Sequence, residues 1–233
     1  TRPAPYVWSD TEIRALLNAA GGLSDPLRAA TYETLFGLLA ACGMRIGEAL
    51  GLARTDVDLE RGVITINDAK FGRSRFVPMH PTTTDALGAY LTRRNRLCPR
   101  ADTASLFVSS RGSALAYRSV HTTFIDLSTA IGVRTDSVRP RIHDIRDSFA
   151  VRTLINWHRA GADIESRMPA LSNYLGHTNP SGTYWHLTAV PELMELAGLQ
   201  QLQVLDLTKA QVTGEGLKEL AGLKQLRGLG LSD

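Results

Sequence analysis

Five basic residues stand out by type and order: Arg45, Lys70, His143, Arg146 and His177. Together they fit one chemistry, the attack of a nucleophile on a phosphodiester. In such a transesterification, negative charge builds on the non-bridging oxygens, and the leaving oxygen needs a proton. Arginine answers the first need, because its planar fork binds phosphate bidentately and keeps its charge. Histidine or lysine answers the second by proton transfer. Such a site requires no metal. His143, His177 and His186 show no tight ligand spacing such as HExxH, so neither a zinc centre nor another cofactor is expected. Each basic residue alone is weak. An arginine after a helix is ordinarily solvated or a capping partner, and a lysine on a turn is ordinarily solvated. The weight lies in the ordered combination.

The elements that must position this set can be read from local patterns. Ser9 and Glu12 form a capping-box pair, with Ile13, Leu16 and Leu17 following at helical spacing. A second helix is predicted over Ala29–Cys42, closed by Gly43. A short helix carries Arg45 and Glu48. Stretches 62–66 and 75–79 read as strands joined by the polar turn Lys70–Ser74, a hairpin with basic residues at its tip. Helices are predicted over Pro81–Leu97, Ser119–Ile131, His143–Trp157 and Met168–Leu175, and a last one over Gly182–Ala197 with Pro191 near a break. Leu106–Val108 reads as a short edge strand. The fold class is therefore α+β: mostly helical, with a small antiparallel sheet.

Bulk properties bound the function without deciding it. The chain has 233 residues and is 43% hydrophobic, enough for a sizeable core without staples. Its net charge of +3 is a mild lean toward a polyanionic partner. Two cysteines, Cys42 and Cys98, are too few for a disulfide framework and favour a reducing, cytoplasmic setting. No apolar run is long enough to span a membrane. The start, Thr-Arg-Pro, lacks both an apolar signal segment and a Met, as a fragment of a longer chain would.

The contexts of the basic residues make the reading specific. Arg45 lies in Gly43-Met-Arg-Ile-Gly-Glu48, His143 and Arg146 in His143-Asp-Ile-Arg146, and His177 in Leu175-Gly-His177. These stretches resemble the tyrosine recombinase (phage integrase) signature of an arginine in G-x-R-x-x-E, then H-x-x-R, then L-G-H. The hairpin lysine of that family maps onto Lys70. The resemblance spans about residues 5–197. It implies a DNA-breaking and rejoining enzyme that works through a covalent 3′-phosphotyrosyl intermediate on double-stranded DNA and assembles as a synaptic tetramer. It further implies that Arg45 and Arg146 hold the scissile phosphate, Lys70 protonates the leaving 5′-oxygen, His143 assists proton transfer and His177 hydrogen-bonds the phosphate. Glu48 and Asp144 fit helix capping and support better than catalysis. A type IB topoisomerase would share the chemical set, and the integrase-like contexts favour a recombinase.

Three departures from the family pattern qualify the activity. The family's tyrosine lies nine residues beyond the L-G-H histidine, and here that position is His186. Tyr184 is two residues earlier, about 200° away around a helix. Either the slot holds His186 and tyrosyl cleavage is lost, or a shifted loop brings Tyr184 into place. The alternative function is then a catalytically inactive DNA-binding module related to recombinases. Second, the chain begins at the catalytic domain's first helix, without the N-terminal DNA-clamping domain usual in the family, so weak DNA affinity is expected. Third, the C-terminal stretch changes character. Leu199, Leu202, Leu205 and Leu207 recur as Leu223, Leu226, Leu229 and Leu231, 24 residues on. This spacing reads as a partial leucine-rich repeat, too short to form a solenoid alone. The expected organisation is a recombinase catalytic domain over 1–197 and a partial leucine-rich-repeat-like tail over 198–233. Glu195-Leu-Ala-Gly-Leu199 recurs at Glu219–Leu223, as at a chimeric junction, and a replaced C-terminal segment should weaken tetramer assembly. A third class, an interaction protein acting through the tail, remains open at this point.

Overall fold

The computed structural model describes residues 5–68, 73–176, 204–206 and 228–230. Helix α1 (Asp10–Gly21) starts at Ser9, whose side chain accepts from the Glu12 amide while Glu12 accepts from the Ser9 amide. Helix α2 (Pro26–Cys42) begins three residues earlier than its apolar pattern indicates. Asp25 caps the amides of Leu27 and Arg28, and Pro26 is preset for the first turn. This helix is apolar nearly all round, and Leu35, Phe36, Leu38 and Leu39 are at most 2% exposed. A helix with no polar face must be central. Accordingly α1, α4 (Pro81–Leu97) and α6 (Ile142–Arg159) all pack on it.

Around this core, α3 (Ile46–Gly51) is followed by a 3-10 turn at Arg54–Asp56 and a three-stranded antiparallel sheet. Its strands are β1 (Val57–Asp58), β2 (Val63–Asp68) and β3 (Arg73–Pro78) in that order. In the β2–β3 register, Ile64 faces Val77 and Ile66 faces Arg75. Directly opposed residues share a sheet face. Arg75 therefore points to the same side as the buried Ile64, Ile66 and Val77, while Phe76 points outward and is 71% exposed. Helix α5 (Tyr117–Ala130) brings Phe124 against Trp8 and Phe36, with ring centroids 5.8 Å apart in each case.

Leu106–Val108 is not the predicted edge strand. Ser105 and Val108 make isolated bridges to Ala53 and Ala114, and no ladder continues between them. Leu106, Phe107 and Val108 are all buried, so the segment has no solvent face to alternate with. Helix α7 (Ile164–Leu175) begins four residues before the predicted start, because Asp163 caps the Ser166 amide and Pro169 is tolerated within the helix. A second buried cluster joins α6 to α7 through Ala150, Val151 and Leu154 against Met168, Leu171 and Leu175. It holds α7 against α6 up to Leu175.

Beyond α7, short strands β4 (Val204–Asp206) and β5 (Gly228–Gly230) pair in parallel, Val204 with Gly228 and Leu205 with Leu229. The predicted helix over 182–197 lies outside the described residues. Among the described residues, no helix is long and apolar enough to cross a membrane. Both cysteines are free.

Candidate active site

Gly43 ends α2 in the left-handed region at φ +59 and turns the chain so that Arg45 becomes the N-cap of α3. Glu48, three residues on, accepts from the Arg45 amide at 2.7 Å and from its Nη1 at 2.8 Å. The Gly43-Met-Arg-Ile-Gly-Glu48 spacing is thus a local device: the acid caps the helix and orients the arginine at once.

Arg146 arrives from α6, one turn into the helix, and is 2% exposed. Its Nη1 donates to the Gly43 carbonyl at 2.6 Å and its Nη2 to the Leu175 carbonyl at 2.7 Å. Arg45 Nη2 donates to the neighbouring Gly176 carbonyl at 2.9 Å. A third arginine, Arg75 of β3, donates from Nε to the Tyr174 carbonyl at 3.1 Å. Three successive carbonyls at the end of α7 are therefore each met by a different guanidinium. A helix C-terminus presents carbonyls without helical partners and a partial negative charge, so cations gather there.

The electrostatics follow from this crowding. Burial alone would raise the Glu48 carboxyl. The Arg75 fork, the Arg45 amide, the Arg75 charge and the Arg45 side-chain hydrogen bond outweigh it and hold the pKa at about 2. Arg146 is pushed down to about 10, first by burial and then by the charge of Arg45, with Arg75 adding to it against Glu48. The cluster thus carries more positive charge than Glu48 neutralises. It can receive a tetrahedral oxyanion with little reorganisation.

His143 occupies the second position of α6, and its side chain is 39% exposed. Its Nε2 lies 3.6 Å from Oδ1 of Asp147, whose side chain is fully buried. Asp144 accepts from the Arg141 amide at 2.6 Å and caps α6 as Glu48 caps α3. Of the residues singled out from sequence, the structure brings Arg45 and Arg146 together and places His143 one turn before Arg146. Lys70, His177, Tyr184 and His186 lie outside the described residues. Arg75 joins the cluster although the sequence reading treats it only as a strand residue. The available signal is its alternation with Val77 on a strand whose partner residues Ile64 and Ile66 are apolar.

The model of the phage integrase family matches residues 8–190, most of the chain. The chain belongs to the phage integrase family. The chain is 46% identical over 206 residues to y4rB of Sinorhizobium fredii, an integrase/recombinase by name; the match covers 84% of this chain and 65% of y4rB. It is 33% identical over 203 residues to tyrosine recombinase XerD of Mycobacterium leprae, covering 84% of this chain and 60% of XerD. The chain thus spans 60–65% of the length of these two curated relatives. Among solved structures, XerA recombinase matches with a TM-score of 0.68 at 26% identity, over 86% of this chain and 66% of XerA. XerH site-specific recombinase bound to a palindromic difH substrate shares the fold, with a TM-score of 0.64 at 22% identity, over 84% of this chain and 53% of XerH. The described helices and three-stranded sheet are the fold of a tyrosine recombinase catalytic domain.

Proposed function

We propose that this chain is the catalytic domain of a site-specific DNA recombinase, which breaks and rejoins double-stranded DNA through a covalent 3′-phosphotyrosyl intermediate. The observation that carries the reading is the convergence of Arg45 and Arg146, from separate motifs, on the end of α7. The names of the relatives support it, as does the palindromic difH substrate in the matched XerH structure. Arg45 and Arg146 hold the scissile phosphate and stabilise the charge that builds on its oxygens. Attack forms the bond from nucleophile to phosphorus and releases the 5′-oxygen. Lys70 supplies the proton to that oxygen, His143 assists the transfer, and His177 hydrogen-bonds the phosphate. On DNA the chain is expected to stop at monomers or dimers, short of the family's synaptic tetramer, because its C-terminal segment departs from the family pattern.

The second reading is a cleavage-deficient DNA-binding module, and one observation favours it: the position nine residues past His177 is His186. Arginines and histidines can hold a phosphate without a tyrosine to attack it. The partial leucine-rich-repeat-like reading of 198–233 is supported by the β4–β5 pairing, whose offset from Val204 to Gly228 equals the 24-residue leucine repeat.

A nicked suicide duplex, enriched from a randomised pool by binding to the protein, tests both readings. A covalent adduct at Tyr184 or His186 removes the second reading, and only one at Tyr184 supports the phosphotyrosyl intermediate. Salt-dependent binding without adduct supports the module. In that case His186→Tyr is expected to restore adduct formation. Failure of wild-type protein to bind any duplex sinks both.

A further inference from the structure

We infer that Arg75 is a positioning residue of this site, holding Arg45 and the end of α7 in one geometry. The inference rests on the reading of Arg45 and Arg146 as phosphate-binding groups. Arg75 lies on the buried face of the sheet, opposite Ile66, with its side chain 19% exposed. Its fork closes on both oxygens of Glu48, Nη1 to Oε1 at 2.9 Å and Nη2 to Oε2 at 2.8 Å. Its Nε donates to the Tyr174 carbonyl.

Each of these contacts goes to something that another member of the site depends on. Glu48 Oε1 also accepts from Arg45 Nη1, and Oε2 from the Arg45 amide. With the residue-45 donors alone, the carboxylate could turn about its terminal bonds. A two-point guanidinium grip fixes its plane, and with it the direction of Arg45. Tyr174 is the first of the three carbonyls at the end of α7. The next two are met by Arg146 and Arg45, so the anchor at Tyr174 sets the acceptors that the other arginines reach. Gly176 shows how close the approach is. It has φ +69, and a Cβ there would lie 2.8 Å from Arg75 Nη1, so the site requires glycine. The Arg75 contacts also tie β3 to α3 through Glu48 and to α7 through Tyr174. All three Arg75 nitrogens donate to groups that Arg45 and the end of α7 depend on, Nε to Tyr174 and both Nη atoms to Glu48, and this gives it a positioning role. Lysine has one ammonium and no fork, and cannot hold two carboxylate oxygens and a carbonyl together.

The test uses the full chain with Arg75→Gln and Arg75→Lys, each confirmed folded by thermal melting at the assay temperature. The first arm labels arginines with phenylglyoxal and reads Arg45 by peptide mass spectrometry, without DNA. Loss of the grip is expected to speed Arg45 labelling several-fold in both variants. A wild-type labelling rate in either variant overturns the inference, and the lysine variant keeps the charge and so serves if glutamine fails to fold. The second arm is a double-mutant cycle with Arg45→Gln on affinity for the pool-selected duplex. Arg75→Gln is expected to weaken binding roughly tenfold. Added to Arg45→Gln it should weaken binding no further, because it acts through Arg45. Additive losses overturn it. If wild-type protein shows no salt-dependent duplex binding, the phosphate reading fails, and the labelling arm still decides for or against Arg75.

Discussion

At the scale of residues, Glu48 is where charge, capping and positioning meet. It caps α3, takes the Arg75 fork, and holds Arg45. Its carboxyl pKa of about 2 lies below the ordinary carboxylate value of 4.5, so stability is linked to pH through it. As pH falls, the unfolded chain takes up the proton first, so the folded state loses its advantage. The contribution is complete above about pH 4.5 and disappears as pH approaches 2. Glu48→Gln should therefore be markedly less stable than wild type at pH 7. In urea unfolding at pH 3, 5 and 7, the gap should narrow at pH 3. A gap that stays constant across the three would show that the acid is not held in this way. Arg75 was hard to find at this scale because an arginine in a strand ordinarily faces water. Only the register, with Arg75 opposite Ile66 and Phe76 turned outward, reveals that it points in.

At the scale of elements, the site is assembled at helix ends. Gly43 closes α2, Arg45 opens α3, Arg146 sits near the start of α6, and Gly176 closes α7. Gly43 does two things at once: its φ of +59 turns the chain toward Arg45, and its carbonyl receives Arg146. A Cβ there would lie 2.3 Å from Phe149 Cδ1. Gly43→Ala is expected to cost about 2–4 kcal/mol, combining left-handed strain with overpacking. Chemical denaturation measures it, and a loss below about 1 kcal/mol would mean that Phe149 yields easily. The elements themselves were mostly legible. Capping and periodicity located α1, α2 and α4 and the two long strands, because those signals are local. Leu106–Val108 was misread because its apolar run is buried on all sides by tertiary contacts, which a strand pattern cannot distinguish.

At the scale of the molecule, the buried hydrophobic residues of the described regions run from Trp8 to Leu175 in two clusters that share α6. If the two clusters among the described residues suffice to hold the catalytic domain, deleting 198–233 is expected to leave its thermal midpoint within a few degrees of wild type. Calorimetry checks this. A large drop would show that the tail packs on the domain and would favour a structural role for its leucines.

The sequence alone determined the family, the ordered Arg45, His143, Arg146 and His177 contexts, and the helical framework. These are legible because motif chemistry, caps and periodicity depend on neighbours a few residues apart. Only the tertiary structure decided that Arg45, Arg75 and Arg146 meet at the end of α7, and that Glu48 lies between two of them. Those contacts join residues separated by up to 131 positions, and no local pattern encodes them. They exist because α2 and the α6–α7 cluster hold these helices in place, and a helix end with exposed carbonyls draws the cations within reach.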